Sequence, residues 1–400
     1  MKRKISIQLA ITLMLLASAL TLGLSAYFNP PLPFAPKNEI DIASREFAAL
    51  LAKIDEVYIG EYDVSDLSDA AMRAAVSALE DRWSYYMTQE EYARYLNSSR
   101  NQYAGIGVGV SIDVATGGME VLYIYRGSPA EIAGVLAGDV IIAIDGDDIT
   151  GLTLTEMREL LARPIGDSAL IDLLRMDGAV ETISVVYDLV FSDPIYFELI
   201  DDAIGYIAIA NFDGGTAERF ISAVEELLDL GAQAFVYDVR NNAGGRVNEM
   251  TRMLDFLLPE GEIFISVDRD GNEEITMSDS SMLDYPALVI VDRYSYSAAE
   301  YFAAILSEYD YAEIVGEQTT GKSRMQSTMR LPEGGALHIS IGQYFTKDRI
   351  ALFDIGGLAP DYPLSLSDDE FVLFISGNLR RTEDPQLLLA LALAGELIRN

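Results

Sequence analysis

Ser297 is the residue whose type and position suggest nucleophilic chemistry. It follows Ala287–Val291, a short apolar run typical of a buried strand, and precedes Ala298–Leu306, which is rich in helix-forming residues. A serine at such a junction has its hydroxyl at the carboxyl end of the strand. The first free N–H groups of the helix lie beside it and can stabilise an oxyanion. The alternative is that Ser295 or Ser297 only caps the helix.

A base must take the proton of such a serine before it becomes a good nucleophile. The chain has no cysteine and one histidine, His338, which lies in the strand-like stretch Ala336–Ile341. A lone histidine in a strand is more often structural than catalytic. The other candidate base is a lysine with a lowered pKa. Lys322 follows Ser297 by 322 − 297 = 25 positions, and a helix followed by the strand Ala312–Gly316 could return it to the serine.

The stretch that contains both residues resembles the active-site region of the carboxyl-terminal processing proteases, which are tail-specific Ser–Lys peptidases. In that family the nucleophile lies three residues before a glutamate, as Ser297 lies before Glu300. The family's Gly-Lys-Gly-x-x-Gln pattern supplies the base and a glutamine that orients it, and these match Lys322 and Gln326. The resemblance therefore implies a catalytic set of Ser297, Lys322 and Gln326. Tyr296, in place of alanine, and Ser323, in place of glycine, depart from the family pattern without removing a catalytic group.

A second glycine-rich stretch follows a predicted strand, Ala234–Val239. That strand, the helix Thr216–Leu230 and the strand Ile204–Ala210 have the order β-α-β, which predicts parallel pairing with a right-handed crossover. Open α/β sheets place their sites at the carboxyl ends of such strands.

The stretch after this strand, Arg240–Gly245, is similar to the family's Arg-x-Asn-Pro-Gly-Gly, with Ala243 in place of proline. The resemblance implies that the amide of Gly244 or Gly245 joins that of Ala298 in an oxyanion hole. The alternative is an ordinary glycine turn.

Residues 101–188 resemble a PDZ domain. Glycines in Tyr103–Val110 allow backbone amides to approach a ligand and form an anion cradle. The resemblance implies that Gly105, Ile106, Gly107 and Val108 hold the terminal carboxylate of a peptide, which adds a strand to the sheet edge beside a groove helix at Leu154–Leu161. In the preceding segment Leu79–Tyr92, Trp83 and the tyrosines are expected to be packing residues.

The amino-terminal sequence predicts a membrane anchor. Lys2, Arg3 and Lys4 precede Ile5–Phe28, an uncharged stretch long enough to cross a bilayer as a helix. The basic cluster predicts that the amino terminus stays in the cytoplasm and that the rest is exported. The alternative is a cleaved signal peptide, which would give a secreted protein.

The composition limits the choice of partners. Half of the 400 residues are hydrophobic, so the chain folds. The formal charge of −35 argues against a nucleic-acid partner and against docking of the globular part on anionic lipid. The absence of cysteine excludes a disulfide framework.

Together these features predict an α+β multidomain protein. Its parts are a transmembrane anchor or signal with a linker (1–38), a helical region (39–100), a β-barrel-like PDZ domain (101–188), an α/β Ser–Lys protease core built on a β-α-β sheet (189–380) and a carboxyl-terminal helix (381–400). The resemblance implies an extracytoplasmic serine endopeptidase that cleaves exported proteins near their carboxyl termini, with its activity gated by the PDZ domain. It implies substrates with free carboxyl-terminal tails, no metal or organic cofactor, and a homo-oligomer such as a dimer. The alternative function is an inactive peptide-binding scaffold at the membrane surface.

Overall fold

A computed structural model describes residues 37–399, which divide near Ala70 into two compact units. The first unit contains helix α1 (Lys37–Val57) and the start of helix α2 (Val64–Ser77). The sequence favours Ser68 as the cap of the second helix, but the helix begins earlier. The Asp63 carboxylate accepts the N–H of Ser65 at 2.7 Å, so it satisfies one of the free donors of the first turn.

The second unit begins within the region predicted to be helical, 39–100. Helix α3 (Gln89–Ser98) lies there, and its amino terminus has a capping box formed by Thr88 and Glu91. The prediction fails at β1 (Tyr85–Met87), which pairs antiparallel with a strand more than 200 residues later. Aromatic residues favour strands, and a long-range partner decides the outcome in such a short segment.

A β-rich domain follows, with helices α4 (Pro129–Ala133) and α5 (Leu154–Leu161). The second of these is the predicted groove helix with the predicted bounds. The main sheet has the order β3-β4-β5-β7-β8 with β6 on β5, and β2 pairs separately with β9. The strands are β2 (Gln102–Gly105), β3 (Val108–Ile112), β4 (Met119–Ile124), β5 (Val140–Ile144), β6 (Asp147–Asp148), β7 (Ser168–Leu174), β8 (Val180–Val186) and β9 (Asp188–Phe191).

The strand that leads to Ser297 belongs to a six-stranded α/β sheet of order β10-β11-β12-β15-β16-β19. Strands β11 and β12 are parallel, as the β-α-β pattern predicts, and only β10 runs antiparallel to its neighbour. The strands are β10 (Ile195–Ile200), β11 (Ile204–Ile209), β12 (Ala234–Asp238), β15 (Ala287–Val291), β16 (Ala312–Gly316) and β19 (Tyr362–Pro363).

Helices cover both faces of this sheet because its strands are apolar on both sides. Phe235 and Tyr237 of β12 pack into one core with the helices α6 (Thr216–Asp229), α7 (Val247–Leu257) and α8 (Ala298–Glu308). Val236 packs on the other face with α10 (Pro385–Arg399), the predicted final helix. A shorter helix, α9 (Asp368–Ile375), precedes it.

A second sheet of the core carries the lysine region. Its order is β1-β18-β13-β14, with β17 on the other side of β18. The strands are β13 (Gly261–Asp268), β14 (Glu273–Ser278), β17 (Arg324–Arg330) and β18 (Ala336–Phe345). Because β1 belongs to this sheet, residues that precede the PDZ-like domain in sequence reach the core.

A buried ion cluster joins the end of β12 to the start of α10. The Arg240 guanidinium contacts the Asp238 carboxylate, and it donates to Asp384 at 3.1 Å and to the Gln386 side-chain oxygen at 3.0 Å. Phe374 of α9 covers the guanidinium, with its ring centroid 4.4 Å from Cζ. The base of the loop that starts at Arg240 is therefore fixed by the carboxyl-terminal region.

Within residues 37–399, no helix combines the length and the apolarity that a membrane span requires. The predicted anchor, Ile5–Phe28, lies outside the described residues.

Candidate active site

Ser297 lies directly before α8 in a strained conformation. Its φ of 59° and ψ of −125° fall in a region that residues with a side chain rarely adopt. Such strain is concentrated at functional sites. The Ser297 side chain makes no capping hydrogen bond and is half-buried, so the capping alternative does not describe this residue.

Ser295 has a structural role instead. Its hydroxyl donates to the Val239 carbonyl at 2.7 Å and accepts the N–H of Asp292 at 2.9 Å. The residue is fully buried. These bonds connect the end of β12 to the turn after β15, so Ser295 holds the scaffold on which Ser297 is displayed.

The glycine loop after β12 contacts the serine. A Cβ added at Gly244 would lie 2.8 Å from both Ser297 Cβ and the Ala298 nitrogen, so only glycine fits there. The N–H of Gly244 donates to the Asn242 side chain at 2.8 Å and is therefore occupied. Within residues 37–399, the N–H groups of Gly245 and Ala298 meet no acceptor. Of the three amides predicted for an oxyanion hole, these two remain able to donate.

Lys322 lies in the loop between β16 and β17, with its amine beneath two aromatic rings. Nζ is 4.5 Å from the ring centroid of Trp83 and 5.9 Å from that of Tyr296. Burial lowers the pKa of Lys322 to about 8, and the Arg82 charge acts in the same direction. The carboxylates of Asp81 and Glu300 oppose this shift. A useful fraction of the amine is therefore neutral near neutral pH.

Glu300 positions the lysine loop, a role that the sequence did not assign to it. Its buried carboxylate accepts the N–H of Gly321 at 2.6 Å, the N–H of Lys322 at 2.9 Å and the hydroxyl of Thr319. Burial raises the pKa of Glu300, and the bonds that it accepts oppose the rise. One helix thus carries Ser297 at its start and the carboxylate that holds the Lys322 backbone.

Glu300→Gln should lower kcat for peptide cleavage by roughly 10²-fold, because small displacements of a catalytic group have effects of that size. In glutamine an NH₂ group replaces one carboxylate oxygen, so a donor would face the N–H groups of the lysine loop. Glu308→Gln is the matched control, since Glu308 ends the same helix and accepts the N–H of Asp348 at 3.1 Å rather than an N–H of the lysine loop. Steady-state kinetics of both variants test this, and full activity of Glu300→Gln would contradict it.

Gln326 lies on β17, and its side chain has other partners. The amide donates to the Arg324 carbonyl at 2.9 Å and to the Ser340 hydroxyl at 3.0 Å. In the described part of the chain, no hydrogen bond joins Gln326 to Lys322, and none joins Lys322 Nζ to the Ser297 hydroxyl. Catalytic hydrogen bonds often tighten only when substrate binds.

Tyr344 is a further residue of the site that the sequence did not assign. Its hydroxyl donates to the Lys322 backbone carbonyl. Burial raises the pKa of Tyr344, while the nearby Ser297 side chain opposes the rise. The phenol is therefore neutral and lies near both catalytic candidates.

His338 has partners of its own. Its Nδ1 lies 2.8 Å from the Thr328 hydroxyl, and its ring stacks on Tyr85 with the centroids 4.7 Å apart. Burial lowers the pKa of His338 to about 4, and the nearby Lys322 charge acts in the same direction. The imidazole is neutral at physiological pH, and its contacts are structural.

The predicted carboxylate loop of the β-rich domain has a suitable backbone. The carbonyls of Ile106 and Gly107 accept from Ala130 and Tyr125, at 2.8 and 3.0 Å. In the described chain, the N–H groups of these two loop residues meet no acceptor. Gly107 has a φ of 82°, and a Cβ there would lie 2.3 Å from Ser128 Cβ. Gly105 ends β2, and Val108 begins β3, which pairs only with β4 among the described strands and so leaves one sheet edge open.

Comparison with known families agrees with this architecture. Residues 203–364 match the model of peptidase family S41, and residues 120–175 match a PDZ domain. The region that contains Ser297 and Lys322 is therefore similar to peptidase family S41. The chain is 27% identical over 298 residues to the carboxy-terminal processing protease CtpA of Bacillus subtilis, an alignment that covers 74% of this chain and 64% of that protein.

A second relative is carboxyl-terminal-processing peptidase 1, chloroplastic, of Arabidopsis thaliana, which is 28% identical over 300 residues, with 72% of this chain and 60% of that protein covered. The chain therefore spans less than two thirds of the length of these two relatives. A crystal structure of a Bacteroides fragilis protein assigned to the S41 proteases has the same fold, with a TM-score of 0.57, 18% identity, and coverage of 85% of this chain and 93% of that one.

Proposed function

We propose that this protein is a serine endopeptidase that cleaves exported proteins near their carboxyl termini. The observation that carries the proposal is the arrangement around α8. Ser297 lies strained and uncapped at the start of the helix, and Glu300 in the first turn holds the loop of Lys322. Ser–Lys catalysis needs a partly neutral lysine as the base and a serine whose hydroxyl is not used in a helix cap.

The reaction would be acyl transfer. Neutral Lys322 accepts the hydroxyl proton of Ser297 as Oγ attacks the peptide carbonyl carbon. The N–H groups of Gly245 and Ala298 stabilise the resulting oxyanion. Lys322 then gives its proton to the leaving amine as the C–N bond breaks. Water, deprotonated by Lys322, attacks the acyl-enzyme, and the proton returns to Ser297 as the acid product leaves. Gln326 orients the Lys322 amine after its side chain rotates.

Incubation with an unstructured peptide that ends in apolar residues tests the activity. Mass spectrometry of the products would locate the cut, and we expect it near the carboxyl terminus. Binding without any product would support the inactive scaffold instead.

We also propose that the PDZ domain reads the substrate tail and gates cleavage. The free N–H groups of Ile106 and Gly107 support a carboxylate cradle there. Amidation of the peptide terminus removes a charged acceptor worth about 1.5–3 kcal/mol, so kcat/KM should fall roughly 10- to 100-fold. The control is the same peptide with one internal aspartate changed to asparagine, which loses a charge but keeps its tail. Equal cleavage of free-acid and amidated peptides would contradict tail reading.

We propose that Ile5–Phe28 is a retained anchor and that the peptidase acts outside the cytoplasm. The three basic residues before an uncharged stretch of bilayer length support this. The protein should stay in membranes after alkaline extraction and keep its amino-terminal residues. A mature protein that begins near Tyr27 and is released from membranes by alkaline extraction would contradict the prediction of a retained anchor.

The family resemblance also supports a homo-oligomer such as a dimer. Light scattering of the detergent-purified protein measures this, and a monomer mass would contradict it.

A further inference from the structure

Trp83 reaches the lysine from outside the part of the chain that matches the peptidase family. Its position is fixed by the residues around it. The Asp81 carboxylate accepts the backbone N–H of Trp83 at 3.2 Å and the Ser84 hydroxyl at 2.6 Å. The Ser84 hydroxyl in turn accepts the N–H of Ser340 in β18 at 3.0 Å. The backbone of Trp83 is therefore held against the sheet that carries β17 and Gln326.

Two rings cover one amine. The centroids of Trp83 and Tyr296 lie 5.6 Å apart at an interplanar angle of 37°, and Lys322 Nζ is within 6 Å of both. Tyr296 occupies the position before the proposed nucleophile, where the sequence departs from the family's alanine. The Arg82 guanidinium also stacks on the indole, with Cζ 4.1 Å from the ring centroid.

A ring over an amine has two opposite effects on its protonation. The ring face attracts the ammonium form. The volume of the indole excludes water, which favours the neutral form by as much as 3–5 pKa units. At Lys322 the loss of hydration is the larger effect.

We propose that Trp83 and Tyr296 form an aromatic cap that excludes water from the Lys322 amine and positions it, so that Trp83 is a positioning residue for cleavage. This inference rests on the proposed function, in which Lys322 is the base. It assigns a functional part to a residue that the sequence suggested was only packing.

Other charged groups face the amine, and their titration must be separated from that of Lys322. The pKa of Asp81 is lowered, because the hydrogen bonds from Ser340 and Ser84 outweigh its burial. Burial raises the pKa of Glu300. His338 has a pKa of about 4, and the Arg82 guanidinium stays charged. A variant without the Lys322 amine serves as the control, because any pH-dependent change that remains in it comes from these other groups.

Trp83 is the only tryptophan of the chain, so its fluorescence reports on this site alone. With excitation that tyrosine does not absorb, the emission of the full-length Ser297→Ala protein should change with pH, with a midpoint near 8. The transition should vanish in the Ser297→Ala/Lys322→Met double variant. A transition that persists unchanged in the double variant, or none in the parent, would overturn the contact between indole and amine.

The pH profile of cleavage then tests the function of the cap. Trp83→Ala rehydrates the amine, so the rise of kcat/KM should move by one to two pH units toward the ordinary lysine pKa. Activity at pH 7 should fall about 10- to 100-fold and recover at high pH. Trp83→Phe, which keeps a ring, should restore most of the profile. A uniform loss with an unmoved midpoint, or a midpoint moved to lower pH, would overturn the inference. Activity in Lys322→Arg would instead show that the proposed base is wrong.

Discussion

Replacement of Ser297 by alanine should lower kcat by on the order of 10⁶-fold, the effect of removing the nucleophile of a serine protease. The reason is that no acyl-enzyme can form without the Ser297 hydroxyl. Peptide binding should persist, because the predicted tail site lies in the PDZ domain. Product formation measured by mass spectrometry and peptide binding measured by fluorescence anisotropy test the two parts separately.

Ser295→Ala is the matched control, since it removes a hydroxyl two residues away. Ser295 makes its hydrogen bonds to the scaffold, so the variant should lose about 1–3 kcal/mol in the free energy of unfolding and keep its chemistry. If the Ser295→Ala variant is inactive and the Ser297→Ala variant is active, the nucleophile is Ser295.

Cleavage should rise with pH through about 8, because only the neutral form of Lys322 accepts the serine proton and burial lowers its pKa to about that value. An exposed lysine has a pKa near 10.4, which would place the rise more than two units higher. Lys322→Arg should be inactive at every pH, since a guanidinium does not deprotonate in proteins. Initial rates from pH 6 to 10 provide the test.

His338→Ala is the control for this assignment. With a pKa of about 4, His338 is already neutral where the rate rises, so its removal should leave the midpoint unmoved. If His338→Ala abolishes cleavage and Lys322→Ala retains most of it, the base is histidine.

Stability gives an independent measure of the same pKa. The folded state disfavours the ammonium, so the wild-type free energy of unfolding should be reduced below pH 8 and should recover between pH 8 and about 10.4. Lys322→Met should therefore be the more stable protein at pH 7, by up to about 3 kcal/mol, and should lose this advantage at high pH.

The parts of the site that neighbouring residues determine could be predicted from sequence. The strand Ala287–Val291, the junction at Ser297 and the strand Ala312–Gly316 have the predicted positions, because apolar runs and turn residues define them locally. The parallel pairing of β11 with β12 followed from their spacing.

The parts of the site that depend on long-range contacts could not be predicted from sequence. The Gly244 N–H donates to the Asn242 side chain, so it is not free for an oxyanion. This hydrogen bond depends on the folded shape of the loop, which the glycine motif in the sequence does not reveal. Trp83, in the turn before β1, and Tyr344, on β18, both reach Lys322. An aromatic residue in either segment is equally compatible with plain packing. The resemblance assigns Gln326 to the orientation of the lysine, and its present hydrogen bonds are to Arg324 and Ser340.

The buried cluster around Arg240 makes the order of synthesis matter. Asp384 and Gln386 follow Ser297 and Lys322 along the chain, so a ribosome makes them later. Until they arrive, the Arg240 guanidinium lacks the hydrogen bonds to Asp384 and Gln386, and the loop up to Gly245 lacks this part of its support. A growing chain thus carries Ser297 before it carries every residue that holds this loop. We expect a chain stalled before Asp384 to bind peptide without cutting it, which would protect the neighbouring nascent proteins until the enzyme is complete.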